Sequence, residues 1–323
     1  MNGLLHGLLY GLPIITVVLT ATALGLWFER KFAARIQSRK GPTMVGPAGI
    51  LQPLADVLKM LQKEQIAPAT ADRFLFELAP ILCGACAVAT AAVVPFSSTV
   101  IAADIDVGVL YVLAVNALIL IPVWMGGWAS NNKFALIGAM RAVAQSVSYS
   151  VPMVLSALVP VILAGSMSLS DIVRYQSEHH WFALWPTIPG LPAFVLFFVS
   201  SLAEANRIPF DIPEAESELI AGITTEYTGM KFGLFYMAEY IHTLIASAVA
   251  SVLFLGGWDG PLYPGLHWMV IKTLLLFASI YWVRWSLLRF RTDQLMMLCW
   301  KWLVPASLLL VMAAAMYVKA GGM

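Results

Sequence analysis

Charged side chains are scarce in this sequence, and no part of it has the polar composition of a soluble domain. Aspartate, glutamate, lysine and arginine make up 11% of the 323 residues, whereas soluble domains contain about 25%. The net charge of +1 gives no indication of binding to nucleic acid or to an acidic substrate. Hydrophobic residues make up 60% of the chain. Several apolar runs reach the ~20 residues that a membrane-spanning helix needs, so the composition predicts an integral membrane protein.

Cysteines are also few, namely Cys83, Cys86 and Cys299. The Cys83-Gly-Ala-Cys86 spacing is one that redox and metal sites use. It lies, however, in an apolar run over 80–95 that contains no histidine and no second cysteine pair. We interpret both residues as small buried helix residues. We therefore expect neither a disulfide framework nor a metal site in this chain.

Apolar segments along the chain predict an all-α integral membrane protein with about eight transmembrane helices. We expect a single transmembrane domain, 1–323, with spans at approximately 8–28, 75–96, 107–128, 136–165, 182–204, 232–256, 266–288 and 300–318. The fourth span is long, and we expect it to tilt or to break near Pro152 or Pro160. The first span is too long for the apolar core of a signal peptide, so we expect no cleavable signal.

Basic residues are distributed unevenly between the two ends of these spans. The loops after predicted spans one, three, five and seven, with the adjoining helix ends, hold Arg30, Lys31, Arg35, Arg39, Lys40, Lys59, Lys63, Arg73, Lys133, Arg141, Arg207, Lys231, Arg284, Arg289, Arg291 and Lys301. The opposite side holds only Arg174 and Lys319. Since basic loops stay in the cytoplasm, we expect both termini outside the membrane and the odd-numbered loops inside.

Acidic residues are concentrated in one segment, 202–227, which is too polar to span a membrane. They are Glu204, Asp211, Glu214, Glu216, Glu218 and Glu226. A solvated loop is one interpretation. Against it, prolines at 209 and 213 restrict the backbone, and apolar residues at 219, 220 and 223 alternate with the acids. Crowded carboxylates raise some pKa values and nearby arginines lower others, which suits proton uptake or coupling.

Three ionisable residues lie in or at the ends of apolar helices. Placing a carboxylate there has a high free-energy cost, so Glu204 and Glu239 are functional candidates. The alternative is that each is an acid at the membrane interface without a function. Arg141 lies one or two turns inside span four and is placed to pair with an acid of the loop after span five. A purely structural ion pair is the alternative for Arg141.

The first cytoplasmic loop contains a short amphipathic pattern. Gly-Pro pairs at 41–42 and 46–47 mark turns. After them Gln52, Asp56, Lys59 and Lys63 recur at helical spacing among leucine, valine and methionine residues. This pattern predicts an interfacial helix, which serves either as a simple anchor or as the wall of a crevice between lipid and a soluble partner.

Several of these motifs resemble the quinone-channel membrane subunit of respiratory complex I, the proton-pumping NADH:quinone oxidoreductase. In the first loop they are Glu29-Arg30-Lys31, Arg39-Lys40-Gly41-Pro42, Gly46-Pro47 and Leu51-Gln52 with Asp56 and Lys59. In and after the third loop they are Gly127 to Lys133 and Gly138 to Arg141. The most specific are Ala203 to Arg207, Pro209-Phe210-Asp211, Glu214 to Leu219, Glu226-Tyr227, Gly229 to Phe232 and Ala238-Glu239-Tyr240.

The resemblance implies a membrane subunit of a bacterial inner membrane whose cytoplasmic side forms a quinone-access tunnel. Soluble subunits that carry iron–sulfur clusters and flavin are then expected to dock over it. Antiporter-like membrane subunits are expected beside it in the lipid bilayer. On this basis the chain takes quinone as substrate, binds no cofactor itself, and belongs to a translocase in which electrons from NADH reach quinone through the partners.

The same resemblance implies roles for individual residues. The tunnel and its entrance are expected to involve Arg30, Arg35, Gln37, Arg39, Gln52, Asp56 and Lys59. The loop that couples quinone reduction to proton movement is expected to comprise Asp211, Glu214, Glu216, Glu218 and Glu226. The buried polar path is expected to begin at Glu204, Glu239 and Arg141.

Three other functions compete with this one. Membrane anchors of [NiFe] hydrogenases and related dehydrogenases share the membrane fold, but the Asp211 to Leu219 acidic pattern and Gly229 to Phe232 favour the quinone enzymes. A secondary transporter predicts pseudo-repeats, and the sequence shows none. A purely structural scaffold does not explain the density of carboxylates in the loop and spans.

One position departs from the complex I pattern, in which a glutamate follows the tyrosine of the fourth helix. Here Ser150 follows Tyr149, and a serine hydroxyl passes hydrogen bonds but holds no charge. One interpretation is a rerouted path. The interpretation we favour is a water path in which Glu204 and Glu239 carry the charge and the water is held by Ser146, Ser148, Tyr149 and Ser150.

Overall fold

The computed structural model describes residues 2–184, 189–213, 216–261 and 263–320, with side chains from residue 11 onward except at 216 and 217. The α-helices are α1 Asn2–Ile36, α2 Gln52–Gln62, α3 Arg73–Ala91, α4 Gly108–Leu118, α5 Leu120–Ala129, α6 Lys133–Ala164, α7 Leu169–Glu178, α8 Gly190–Glu204, α9 Glu216–Leu219, α10 Gly229–Phe254, α11 Leu266–Ser286, α12 Thr292–Leu298 and α13 Val304–Lys319. Short helical turns occur at Pro47–Gly49, Phe182–Leu184, Gly222–Thr224 and Cys299–Leu303. The predicted all-α class is confirmed, since no strand occurs in the described ranges.

Seven helical segments in the described residues are long and apolar enough to cross a membrane. They are Gly11–Ile36, Arg73–Ala91, Gly108–Ala129, Lys133–Ala164, Gly229–Phe254, Leu266–Ser286 and Thr292–Lys319. The third of these joins α4 and α5, and the last joins α12, a π-helical turn and α13. The chain is therefore a multi-pass membrane protein.

The fifth predicted span forms a shorter helix than the sequence indicated. The prediction placed it over 182–204, whereas α8 comprises the 15 residues Gly190–Glu204. Pro189 occupies the position before its first residue, and a proline there cannot continue a helix backwards because its ring blocks the preceding turn. At ~1.5 Å per residue, α8 is about 22 Å long, which is less than the ~30 Å hydrocarbon core.

The fourth predicted span is a single helix, although it contains two prolines. α6 runs for 32 residues, through Pro152 and Pro160, and ends at Gly165 in the left-handed conformation. Its length of about 48 Å exceeds the ~30 Å hydrocarbon core. Of the two expected outcomes, a tilt or a break near the prolines, the break is not present. Glycine is the residue best suited to end a helix in this way.

α10 is the most enclosed of the long helices and forms the centre of the bundle. In the most apolar stretch of α10, 83% of the residues are buried inside the protein, whereas in that of α1 only 17% are buried. Small side chains let its neighbours approach closely, and those buried on α10 are Ala238, Thr243, Ala246, Ser247, Ala248, Ala250 and Ser251. It packs against α1, α2, α3, α8 and α11, so side chains on α10 face several other helices.

The amphipathic helix predicted in the first loop is present as α2. Pro53 lies in its first turn, where a proline is tolerated because that position needs no hydrogen-bond donor. α2 packs against α1 and α10. Its outer face exposes Leu54, Leu58 and Leu61, so the helix keeps an apolar surface as well as a packed one.

The polar segment that follows α8 is irregular, as predicted, and is hydrogen-bonded to α6. The Gln145 side-chain amide donates hydrogen bonds to the backbone carbonyls of Ala203 and Phe210, each at 2.7 Å. On the far side of the segment the ring of Tyr227 stacks on Phe76 of α3, with ring centroids 4.1 Å apart. The segment is thus packed against protein at both ends.

Candidate functional site

A cavity of about 70 Å³ lies inside the bundle and contains both intramembrane glutamates. Its walls come from α3, α4, α5, α6, α8 and α10 and from the segment 205–224. Glu204, the last residue of α8, and Glu239 of α10 both line it. Further polar groups on the wall come from Asn116, Ser146, Asn206 and Thr224. The structure therefore brings the two glutamates together at one polar space between helices.

Arg207 connects the polar segment to this cavity. It is almost fully buried, with 2% of its surface exposed. Its Nη2 lies 3.6 Å from Oε2 of Glu239, and its guanidinium lies over the ring of Tyr240, 4.5 Å from the ring centre. A buried arginine needs such partners because an isolated charge is very costly away from water.

A second buried cluster continues from Tyr240 to the first helix. The Tyr240 hydroxyl donates a hydrogen bond to Oε2 of Glu29, and Nη1 of Arg284 donates to its Oε1. Glu29 belongs to α1 and Arg284 to α11. The same carboxylate therefore joins three helices and lies one aromatic ring away from Arg207.

The first loop carries its own ion pair next to Glu29. Arg30 Nη1 lies 2.5 Å from Oδ2 of Asp56 on α2. Gln52 donates a hydrogen bond to the other carboxylate oxygen of Asp56 at 3.1 Å. Lys59 shares a wide surface pocket with Arg30 and Asp56. Four of the residues expected in the tunnel or at its entrance thus lie close to one another.

The other three residues expected near the tunnel entrance lie on the surface. Arg35, Gln37 and Arg39 are exposed where α1 ends and the first loop begins. Arg39 donates a hydrogen bond to the side chain of Gln37 at 2.7 Å. Their side chains form no part of the buried clusters.

The acidic segment is paired with basic and amide groups of α6 and the turn before it. Arg141 Nη1 lies 2.5 Å from Oε2 of Glu218, which confirms the pairing predicted for Arg141. The hydrogen bond and the charge of Arg141 lower the pKa of the Glu218 carboxyl from its usual range. Asn132 donates a hydrogen bond to Glu226 at 2.5 Å. Both acids therefore anchor the segment.

The remaining acids of the segment have different positions. Asp211 is half-buried and lies between Phe210 and Ile212, whose side chains are buried. Glu216 begins the short helix α9, and its side chain is outside the described part of the chain. Glu214 lies outside the described residues altogether.

Only one of the polar residues proposed for a water path on α6 reaches the cavity. Ser146 lines it. The Tyr149 hydroxyl instead donates to the backbone carbonyl of Leu295 at 3.0 Å, and Ser148 lies beside the sulfur of Met296 at 3.4 Å. Ser150 donates to the carbonyl of Val147 in its own helix, at 3.0 Å. Ser148, Tyr149 and Ser150 thus do not line this cavity, and the water path through them stays a prediction.

The sequence did not predict the buried cluster around Glu29. The sequence presents Glu29, Arg207, Tyr240 and Arg284 as loop charges or motif residues, not as one site. The available signal was the position of Glu29 and Arg284 near the ends of apolar helices, since charges of opposite sign in such places usually pair. Within the described residues no group of three or more metal-ligating side chains occurs.

Comparison with known proteins identifies the family of the chain. The sequence profile of the NADH dehydrogenase family matches residues 10–315. The chain is 47% identical over 323 residues to the NADH-quinone oxidoreductase H subunit, form 2, of Geobacter sulfurreducens, covering 96% of each chain. It is 46% identical over 304 residues to the NADH-quinone oxidoreductase H subunit of Dehalococcoides mccartyi, covering 94% of this chain and 84% of the relative. The chain belongs to the family of NADH-quinone oxidoreductase H subunits.

A third relative shows the same similarity. The NADH-quinone oxidoreductase H subunit of Paraburkholderia phymatum is 44% identical over 320 residues, covering 96% of this chain and 90% of the relative. The resemblance stated from the motifs is therefore confirmed. The part matched by the family profile includes all of the site residues, from Glu29 to Arg284.

Proposed function

We propose that this chain is the membrane subunit of a proton-translocating NADH:quinone oxidoreductase, in which it forms the quinone-access tunnel and couples quinone reduction to proton movement. One observation carries the proposal. Polar side chains follow one another from the Arg30–Asp56 pair of the first loop, through Glu29, Tyr240 and Arg207, to Glu239 on the cavity. A mere anchor gives no reason for such a row of ionisable groups, in which Glu29 and Arg207 are buried.

The tunnel is assigned to the side of the bundle where α2 packs against α1 and α10. A quinone has a polar headgroup and an apolar tail, so its site needs apolar walls with a few polar groups at the closed end. The apolar outer face of α2 supplies such a wall at the membrane edge. Arg30, Gln52, Asp56 and Lys59 supply polar groups beside it.

Coupling is assigned to the row of buried groups and to the acidic segment. Reduction of quinone consumes protons as well as electrons, so it changes the charge near the first-loop ion pair. That change acts on Glu29 and, through Tyr240 and Arg207, on Glu239. Glu204 and Glu239 then bind and release protons at the cavity. Asp211, Glu214, Glu216, Glu218 and Glu226 form the loop that holds this machinery against the cytoplasmic side.

Electron transfer is assigned to partner subunits. Iron–sulfur clusters and flavin in soluble partners deliver electrons from NADH to quinone at the head of the tunnel, and the exposed Arg35, Gln37 and Arg39 face those partners. Antiporter-like membrane subunits lie against the poorly buried helices at the edge of the bundle. The assigned location is a bacterial inner membrane, with both termini outside and the acidic segment in the cytoplasm.

The experiment replaces the two cavity glutamates in the assembled complex. Glu204→Gln and Glu239→Gln keep the size of the side chain and remove its titration, so quinone reduction and proton pumping should fall together by ~100-fold or more, the scale of general acid–base catalysis. Quinone reductase activity and acidification are measured in membrane vesicles. Glu77→Gln is the matched control, because Glu77 is an exposed acid on α3 outside the cavity.

Two results would decide against the proposal. Full quinone-linked activity in both glutamate variants, at normal levels of assembled complex, would show that the cavity has no role in proton transfer. Turnover of the wild-type complex with an acceptor other than quinone, and none with quinone, would assign the chain to a hydrogenase-type anchor instead.

A further inference from the structure

The cavity wall contains a histidine that the proposed function does not use. His242 lies on α10, three residues after Glu239, and lines the same cavity. Residues three apart in a helix lie on the same face, so His242 continues the line of Glu239 by almost one helical turn. Only 8% of its surface is exposed.

The surroundings of His242 are polar toward the cavity and apolar elsewhere. Titratable groups that face the same space are Cys83 of α3, Glu204 of α8 and Glu239 of its own helix, and Arg207 pairs with Glu239 beside it. The wall contributed by α4 carries Asn116, and that contributed by α6 carries Ser146. Both of these side chains are neutral hydrogen-bonding groups.

The imidazole makes no hydrogen bond to another described residue of the chain. Buried polar side chains nearly always have a partner from protein or water, so the ring requires water in the cavity. The volume of about 70 Å³ exceeds the ~10–15 Å³ that one water needs by the same measure. Several waters therefore fit between the ring and the two glutamates.

The polar space ends at the level of Asn116. A second, smaller cavity begins there, since Asn116 lines both. Among the described residues, all other lining groups of the second cavity are apolar: Val109, Val112, Leu113, Met153, Ala157, Phe197, Ile245, Ala246, Val249 and Leu253. A space of about 10 Å³ with such walls has too few polar partners to hold water. His242 is thus the last titratable side chain before an apolar barrier.

From this geometry we infer that His242 is a proton carrier that extends the path from Glu239 one helical turn deeper into the membrane. The inference rests on the proposed function of the cavity. A neutral imidazole accepts a proton at one ring nitrogen and releases one from the other. The proton comes from Glu239 through cavity water, and it leaves to water of the same cavity beside Asn116. The ring is then neutral again, with the roles of its two nitrogens exchanged.

The test compares three replacements in the assembled complex in membrane vesicles. His242→Gln keeps hydrogen bonding and removes proton transfer, so turnover should fall at least about tenfold, and less than the roughly 10²–10⁴ of full general acid–base catalysis because water carries part of the flux. The solvent deuterium isotope effect on turnover should rise, since proton transfer becomes slower. His242→Leu should be at least as slow. His267→Gln is the matched control, because His267 is exposed in the first turn of α11 and does not line the cavity.

Several outcomes overturn the inference. One is wild-type turnover and an unchanged isotope effect in His242→Gln. Another is a normal His242→Gln with an inactive His242→Leu, which would show a hydrogen-bonding role without proton carriage. If Glu239→Gln is inactive in the same assay, either result leaves the proposed function intact. Where His242→Gln lowers the amount of complex, rates are taken per assembled complex, and a normal rate per complex again overturns the inference.

Discussion

Arg284 of α11 donates a hydrogen bond to Glu29 of α1, so that an arginine and a glutamate 255 positions apart in the chain form one buried ion pair. The carboxylate is enclosed, and its second oxygen accepts from Tyr240. Both carboxylate oxygens thus have a donor, and an ion pair with such hydrogen bonds is stronger than a bond between neutral groups. The pair thereby fixes the position of α1 and, with it, that of Arg30 in the same helix.

Loss of either partner of this pair should weaken the complex strongly. Arg284→Met leaves Glu29 without its charged donor, and removal of one partner of a buried ion pair costs about 3–5 kcal/mol. The expected result is less assembled complex and a lower midpoint of thermal inactivation. The double variant Glu29→Gln with Arg284→Met should recover part of the loss, because no uncompensated charge remains.

The control for this prediction is an exposed pair of the same chain. Arg174 and Asp171 lie 3.5 Å apart on the surface of α7, where an ion pair contributes about 0–1 kcal/mol. Asp171→Asn should therefore leave thermal inactivation nearly unchanged. Equal effects of Arg284→Met and Asp171→Asn would contradict the structural role of the buried pair.

The Arg141–Glu218 pair should act as an anchor of the acidic segment rather than as a proton carrier. Arg141 lowers the pKa of Glu218 through a hydrogen bond and its charge. A lowered pKa in the folded state means that the stabilisation is present above the unfolded value of about 4.3 and is lost as the pH falls through the folded value. Glu218→Gln should therefore reduce activity without shifting its pH profile between about pH 6 and about pH 8.

The measurement is quinone reductase activity of the assembled complex as a function of pH. The exchange Arg141→Glu with Glu218→Arg should restore activity toward that of the native protein, since the charges remain opposite. Glu178→Gln, at an exposed acid of α7, serves as the control. A displaced pH profile in Glu218→Gln would show that this carboxylate titrates during turnover.

A bulky side chain on the packed face of α2 should obstruct entry of quinone. Ala55 is half-buried in α2, and Ala55→Trp fills space between α2 and its neighbours. The apparent KM for quinone should rise several-fold, while reduction of the soluble clusters by NADH stays normal. Leu309→Trp, at an exposed position of α13 outside the assigned tunnel wall, should change KM little. Loss of cluster reduction in Ala55→Trp would instead indicate failed assembly.

Ser146 and Ser150 should respond differently to the same substitution. Ser146 lines the cavity, whereas Ser150 donates to a carbonyl of its own helix. Ser146→Ala removes a hydrogen-bonding group from cavity water and should slow pumping and quinone reduction together by a few-fold, since one hydrogen bond is worth about 1 kcal/mol. Ser150→Ala should leave both rates unchanged. The reverse order of effects would restore Ser150 to the proton path.

The proposed orientation is tested by labelling single cysteines in a chain whose native cysteines are replaced by serine. Glu218→Cys should react with a membrane-impermeant reagent in inside-out vesicles, and Glu178→Cys should react in intact cells. The distribution of basic residues places the two positions on opposite sides. Reaction of Glu218→Cys from outside intact cells would overturn the orientation.

Most of the fold was predictable because its signal is local. The long apolar runs and the amphipathic pattern of α2 depend on neighbouring residues, and the structure contains both. α8 was predicted too long because hydropathy counts the apolar residues before Pro189 without regard to the break that proline causes. The continuous α6 shows the opposite case, since tertiary packing overrides the local effect of its prolines.

The site was only partly predictable, because its contacts are not local. The pairing of Arg141 with the acidic segment followed from its place near the end of an apolar helix. The Glu29 cluster joins α1, α10 and α11, and no periodic pattern within one helix reports such a contact. The contacts of Ser148 and Tyr149 with Met296 and Leu295 were not predicted, because the direction of a side chain around a helix depends on its neighbours.

The shortness of α8 has a consequence for the thickness of the insulating layer. Glu204 ends a helix of 15 residues, about 22 Å long, so α8 alone does not cross the ~30 Å hydrocarbon core and irregular chain fills part of that depth. Irregular backbone is tolerated there only where protein or a hydrated space surrounds it, and Ala205 and Asn206 line such a space. The apolar layer is thus thinner at this cavity than elsewhere in the protein. Most of the transmembrane voltage should therefore fall across the apolar layer that remains beyond Asn116.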